Sequence, residues 1–370
     1  MTNFLVPTGH GVLDDGLPSG AAGDAPAKAL DGAVDAVDGD AILECCISVC
    51  RGPIGDIAVG GADVEALVVA NVVDQSVAVV IDPAAQLLGD NVAVVGEPVA
   101  VVATDDRAYV ATGSAGQDAV SAIDLESRSV IAKFPLAFGV TALAASPDGK
   151  HVYAGRTSHD RVDVTVIDTV ARRAETIDIG SGPAAGIDAL CVDPNGKRLY
   201  AAVTDETGGQ LVVVDCETLR VQRVVMVGSP IRDIAYASGM VYVLTSDRAV
   251  GGAVHVVDLS ANRVTDTVNI GGAPTQLVMS PDHSRAYVVD YDRVVVVCTL
   301  GREIVDSLSI NARPSCVALG ADGSRLYVAD YSGTVHVFSV AATMETLYSQ
   351  FLATDKIEAS ESRALEPVTA

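Results

Sequence analysis

The stretch "GRTSHDR", residues 155–161, crowds Arg156, His159, Asp160 and Arg161 into one short polar segment. Imidazole is the side chain whose ordinary pKa lies nearest neutrality, so His159 is the best single candidate for moving a proton, and the arginines could hold an anion or a developing oxyanion. A second candidate is "ECCISVC", in which Cys45, Cys46 and Cys50 stand close enough in sequence to suggest zinc or redox chemistry. On a regular strand, however, Cys45 and Cys46 point to opposite faces, and positions 46 and 50 lie roughly 13 Å apart at about 3.3 Å per residue. These thiols therefore read as buried and structural unless a bulge intervenes. Asp56 and Asp233 form a third candidate. They follow Pro53 and Pro230 by the same three positions, and are the one weak hint of a divalent metal or a redox cofactor. The chain shows no Gly-rich phosphate loop, no GxSxG elbow and no HExxH pair.

What must position these residues is a repeat. Tyr109, Tyr153, Tyr200, Tyr242, Tyr287 and Tyr327 sit in similar segments such as "RAYVATG", "HVYAG" and "RLYVAD", spaced by 40 to 47 residues on subtracting their positions, and Leu67 in "EALVVAN" takes the same place one period earlier. Upstream lie turns of the type "SPDGK" (146–150), "DPNGK" (193–197) and "SPDHS" (280–284). In these, Pro fixes φ and, in the first two, Gly or Asn accepts the positive φ that closes a hairpin. Downstream lie strands ending in Asp124, Asp168, Asp215 and Asp258. Those aspartates read as caps on their own turns rather than as a calcium ring.

Each unit is four short strands, apolar at consecutive positions as in "LVVV" and "VVVV", so both sheet faces must be covered by neighbouring units. Seven such units predict an all-β, seven-bladed β-propeller of four-stranded antiparallel blades, in preference to a linear β-solenoid. The segment "AILECCISV" matches an outermost strand without the rest of its unit. It is expected to close the ring by completing the last blade; the competing closure uses residues 342–352. The expected propeller spans 41–345, after an acidic, disordered or loosely attached segment 1–40 and before a tail 346–370.

The motifs "SPDGKHVYAG", "DPNGKRLYAA" and "GSRLYVADYSGTVHVF" resemble the YVTN-type β-propeller repeats over roughly residues 50 to 340. The resemblance, including that to actinobacterial members, implies the propeller fold. It does not supply a reaction, because the repeats occur in cell-surface proteins, in binders and in relatives of propeller lactonases.

A formal charge of −24 argues against a surface that tracks phosphates, whether of nucleic acid or of an anionic membrane. No stretch approaches the roughly 18 apolar residues of a membrane span, and the odd cysteine count suits a reducing compartment. A cytoplasmic monomer is expected. In propellers, the loops between second and third strands, and between one blade and the next, surround one mouth of the channel, and function is placed there. By alignment this face collects Asp56, Arg156, His159, Asp160, Arg161, Asp205, Arg232, Asp233, Asp290, Arg293, Arg313 and Asp330. The leading expectation is a non-enzymatic scaffold that binds a protein or small molecule on this face, with no cofactor. The alternatives are a lactone or ester hydrolase of the propeller-lactonase type, and a channel that holds a divalent metal or redox cofactor.

Overall fold

Closely spaced apolar strands, each too thin to bury its own faces, decide the architecture. The computed structural model describes residues 41–61, 65–81, 91–114, 118–310 and 312–340. Among these residues every regular element is a β-strand, and the strands form seven four-stranded antiparallel sheets. The innermost strands are Ile54–Gly60, Glu97–Ala103, Val140–Ala145, Gly186–Val192, Ile231–Ala237, Gln276–Met279 and Pro314–Leu319. Each packs on the next, and the seventh packs on the first, so the sheets are blades around an axis.

Blades 1 to 6 are built in chain order from inner to outer strand. Blade 7 has Pro314–Leu319, Arg325–Asp330 and Thr334–Val340, and its outermost strand is Ala41–Ser48. Ile47 lies opposite Val335 and Cys46 opposite His336 in that pairing. The ring is thus sealed by the N-terminal strand, as its sequence implied. Residues 1–40, the competing closing segment 342–352 and the tail 346–370 lie outside the described residues.

The repeated tyrosines are the bulk of the second strands. Tyr109, Tyr153, Tyr200, Tyr242, Tyr287 and Tyr327 are all buried, and Leu67 fills the same place in blade 1. Between blades 7 and 1, Tyr327 packs with Ile47, Ile54, Leu67 and Val335, and comparable layers fill the other interfaces. Each fully buried Val, Leu or Ile contributes roughly 1.5–3 kcal/mol, and the absence of Trp leaves this work to many small side chains.

The turns behave as their residues require. Ser146 Oγ donates to Asp148 Oδ1 at 2.7 Å, and the Lys150 amide donates to the same oxygen at 3.1 Å. Gly149 supplies the positive φ of +67°. These bonds, led by that from Ser146, hold the Asp148 carboxyl down at about 2. At the far ends of the third strands, Asp168 accepts the Val170 and Ala171 amides, and Asp258 those of Ser260 and Ala261. All these corners lie on the lower face. The loops between second and third strands, and from blade to blade, lie on the upper face.

Candidate binding site at the channel mouth

The site is made by an irregularity that recurs. Near the upper end of the innermost strand, the register slips between Ile54 and Asp56, Pro98 and Ala100, Val140 and Ala142, Ile187 and Ala189, Ile231 and Asp233, and Pro314 and Cys316. A bulge adds one residue and re-aims its side chain. Gly55, Val99, Thr141, Asp188, Arg232 and Ser315 are the added residues, and with Thr275 of blade 6 they line a cavity of about 380 Å³ in the channel. The bulge repeats while the residue on it does not. Blades 1 and 2 contribute Gly55 and Val99, whereas blades 4 and 5 contribute Asp188 and Arg232.

In blades 1 and 5 the residue after the bulge is an aspartate, and it serves a second purpose. Asp56 Oδ2 accepts the Val101 amide of the next blade at 2.8 Å, and Asp233 Oδ2 accepts the Leu277 amide of its next blade at 2.8 Å. The other oxygen of each takes the following amide of its own strand, Ile57 or Ile234. Gln276 makes the same clasp with a neutral group, accepting the Val317 amide at 2.6 Å, and its Nε2 donates to Asp56 Oδ1 at 3.2 Å. Burial raises the Asp56 carboxyl to about 6, against the pull of its hydrogen bonds. Burial likewise raises Asp233 to about 7, and the charge of Asp56 adds to the shift. Both side chains nevertheless keep partial access to the channel.

Asp188 accepts a bond of 2.5 Å from Thr204 Oγ1, which in turn accepts the Ile231 amide at 3.1 Å. Burial raises the Asp188 carboxyl, while Thr204 and the charge of Arg232 oppose the rise. Arg232 is exposed at the rim and makes no hydrogen bond or ion pair within the described residues.

The loop residues divide into locked and open groups. Arg156 Nε lies 2.7 Å from Asp163 Oδ1, and Arg161 lies 3.0 Å from the other oxygen of this fully buried carboxylate. The Arg156 guanidinium also stacks 4.3 Å over Phe138. Asp205 accepts Thr207 and Gln210 donors within its own hairpin. Asp290 accepts the Ala273 amide at 2.8 Å and pairs with Arg293 at 3.4 Å. Asp330 accepts Ser332 and Thr334 amides. His159 and Asp160 are exposed at the tip of a two-residue hairpin, with no side-chain hydrogen bond or ion pair among the described residues. The structure therefore gathers Asp56, Arg232 and Asp233 at the channel and leaves the 156–161 cluster in blade 3, held on its own strands.

Of the predicted site arginines outside the channel, Arg313 is the one with no ion pair among the described residues. Its guanidinium sits 4.7 Å from the Tyr291 ring and 4.9 Å from the Tyr331 ring. Both tyrosines are about half exposed, at 59% and 47%. Within the described residues, no group of three or more His, Cys, Asp or Glu side chains is placed to hold a metal, and no helix is long and apolar enough to cross a membrane.

Comparison with known proteins agrees with the ring. The chain is 52% identical over 327 residues to a seven-bladed β-propeller protein of Mycolicibacterium smegmatis, covering 88% of this chain and 87% of that one. It is 34% identical over 298 residues to a seven-bladed β-propeller protein of Mycobacterium tuberculosis, covering 70% and 75%. The chain belongs to this family of seven-bladed β-propeller proteins. No family model matches it, so the resemblance to YVTN repeats rests on its motifs alone. Kuenenia stuttgartiensis hydrazine synthase superposes with a TM-score of 0.72 at 20% identity, covering 84% of this chain and all of that one, a likeness of fold.

In this seven-bladed propeller, the thiols depart from their expected burial. Cys316 alone is buried, while Cys46 is exposed and the other five are half-buried. Cys46 and Cys45 do point to opposite faces of the closing strand, Cys45 packing toward blade 1. His336, in the third strand of blade 7, belongs to no candidate site legible in the sequence. It stands between Cys46 and Asp330, because only ring closure brings position 46 beside position 336. The Tyr291, Arg313 and Tyr331 cluster was likewise unseen as a unit, since three separate loops supply it.

Proposed function

We propose that this propeller is a non-catalytic binding scaffold whose upper face receives a protein segment presenting a carboxylate. The observation that carries this reading is Arg313, stacked between Tyr291 and Tyr331. Stacking holds a guanidinium in one orientation while its N–H donors stay open, and exposed Tyr and Arg are the residues that anchor interfaces. Arg232 at the channel rim adds a second cation with no carboxylate in ion-pair contact among the described residues. On the same face, Val73 and Val250 stand in upper loops of blades 1 and 5 with 59% and 82% of their surface exposed. A hydrolytic reading gains less support, since the His159 side chain, at its hairpin tip, makes no hydrogen bond or ion pair among the described residues.

An array of acidic peptides, each paired with its Asn/Gln counterpart, tests the proposal by fluorescence binding to the wild type and to the Arg232→Ala/Arg313→Ala double variant. Binders that prefer the acidic member and lose about tenfold or more in the variant are expected, since a hydrogen bond to a charged group contributes roughly 1.5–3 kcal/mol. Equal binding of wild type and variant to every peptide would overturn it.

A further inference from the structure

We propose that Cys46 is a nucleophilic thiol that exchanges with small-molecule disulfides, with His336 as its base and Asp330 as the residue that positions the base. Cys46 Sγ lies 3.3 Å from His336 Nδ1, and His336 Nε2 lies 2.9 Å from Asp330 Oδ2. The three come from the closing strand, the third strand of blade 7 and the end of its second strand. Nucleophile, base and orienting carboxylate in hydrogen-bond sequence is the arrangement that activates a thiol.

The carboxylate is itself fixed. Asp330 Oδ1 takes the Ser332 amide at 2.8 Å, the Ser332 hydroxyl at 2.7 Å and the Thr334 amide at 3.0 Å, which leaves Oδ2 for the imidazole. An ionised carboxylate accepts only, so the neutral ring carries its proton on Nε2 and presents Nδ1 as an acceptor to the thiol. Burial, with Cys45 and Asp330 nearby, pushes the Cys46 thiol up from its ordinary value. The thiol therefore keeps its proton at rest, and the thiolate forms as that proton moves to His336 Nδ1 during attack.

Blade 5 holds an internal comparison. His255 occupies the equivalent place, 3.1 Å from Thr245 Oγ1 and 2.9 Å from Thr267 Oγ1. Thr245 and Asp330 both lie opposite the first residue of the bulged pair in their blades, and Thr267 and Cys46 both lie opposite the histidine. The scaffold tolerates a histidine between two hydroxyls there. Blade 7 replaces one hydroxyl by a carboxylate and the other by an exposed thiol.

For a disulfide R–S–S–R, the Cys46 proton passes to His336 Nδ1 and the sulfur attacks one sulfur of the reagent. The R–S–S–R bond breaks as the new S–S bond forms, and the departing thiolate takes the proton from His336. One Cys46–S–S–R and one R–SH result: Cys46 is oxidised, the reagent sulfur that leaves is reduced, and no other reactant is needed. Cys45 faces the core between blades 7 and 1, so it is turned away from resolving the mixed disulfide, which persists until a second thiol arrives.

The test uses the full, reduced chain and dithiodipyridine, a neutral disulfide that the chain's negative charge does not repel. Thiopyridone release is followed by stopped flow, and the modified residue is mapped by mass spectrometry. One fast equivalent at Cys46 is expected, absent in Cys46→Ser and slowed about tenfold or more in His336→Gln. His255→Gln should leave it unchanged. Asp330→Asn keeps an oxygen for the turn amides but offers an N–H to the ring, so it should both slow the reaction and move the imidazole proton to Nδ1, as read from ring nitrogen chemical shifts. Thermal unfolding verifies that each variant is folded, and Asp330→Asn carries the test if His336→Gln is not. A fast phase that survives in Cys46→Ser, or that keeps its rate in the folded base or positioning variant, would overturn the proposal.

Discussion

Asp233→Asn should make the protein more stable at pH 8 while leaving it nearly unchanged at pH 4.5. Asp233 titrates at about 7 in the fold against 3.8 as an ordinary carboxyl, and Asp56 at about 6. Both folded values are raised, so the native state binds more protons than the unfolded chain between these limits. The groups favour folding most below about pH 4, and that contribution falls as pH rises, until it is gone above about 6 for Asp56 and 7 for Asp233. At about 1.4 kcal/mol per unit, ionised Asp233 costs about 4 kcal/mol at most and Asp56 about 3 kcal/mol. Access to channel water reduces these figures, and a gain of about 2 kcal/mol for Asp233→Asn at pH 8 is expected. Asn is nearly isosteric with the protonated acid and retains an acceptor for the Leu277 amide, giving up the bond from the Ile234 amide, a loss already within the reduced figure. Gln276 already makes the equivalent clasp as an amide. Urea unfolding followed by circular dichroism from pH 4 to 9 measures the difference. A difference that does not grow with pH, or a variant less stable at pH 8, would refute this account of the channel carboxylates.

Two further perturbations examine the groups that hold the upper face. Arg156→Met should cost about 3–5 kcal/mol in urea unfolding, because Asp163 is completely buried and loses its closest cation; the Arg156→Met/Asp163→Leu double variant should recover much of that loss. Gly272→Ala should lower stability by about 1–3 kcal/mol, measured as a fall in Tm, since φ there is +55° and a Cβ would press on the Asp290 carboxylate.

The opening chemistry looked different once the chain was closed. "GRTSHDR" held the densest set of reactive side chains, yet Arg156 and Arg161 turn to Asp163 two residues beyond the motif. A carboxylate on an apolar strand, in "RVDVTVID", was the available signal for that pairing. Asp56 and Asp233 were aligned correctly from their spacing to Pro53 and Pro230, but the bulge that sets them beside the next blade's amide leaves no mark in composition.

By itself the sequence determined the ring: its period, its tyrosine anchors and its turn corners. Those features are local, because a turn residue or an apolar alternation acts on its own neighbours and repeats seven times over. Tertiary structure decided the sites. Arg313 meets two tyrosines from different blades, and Cys46 meets His336 across 290 residues of chain. Such meetings depend on blade-to-blade distance and on the register of the closing strand, which only the completed ring fixes.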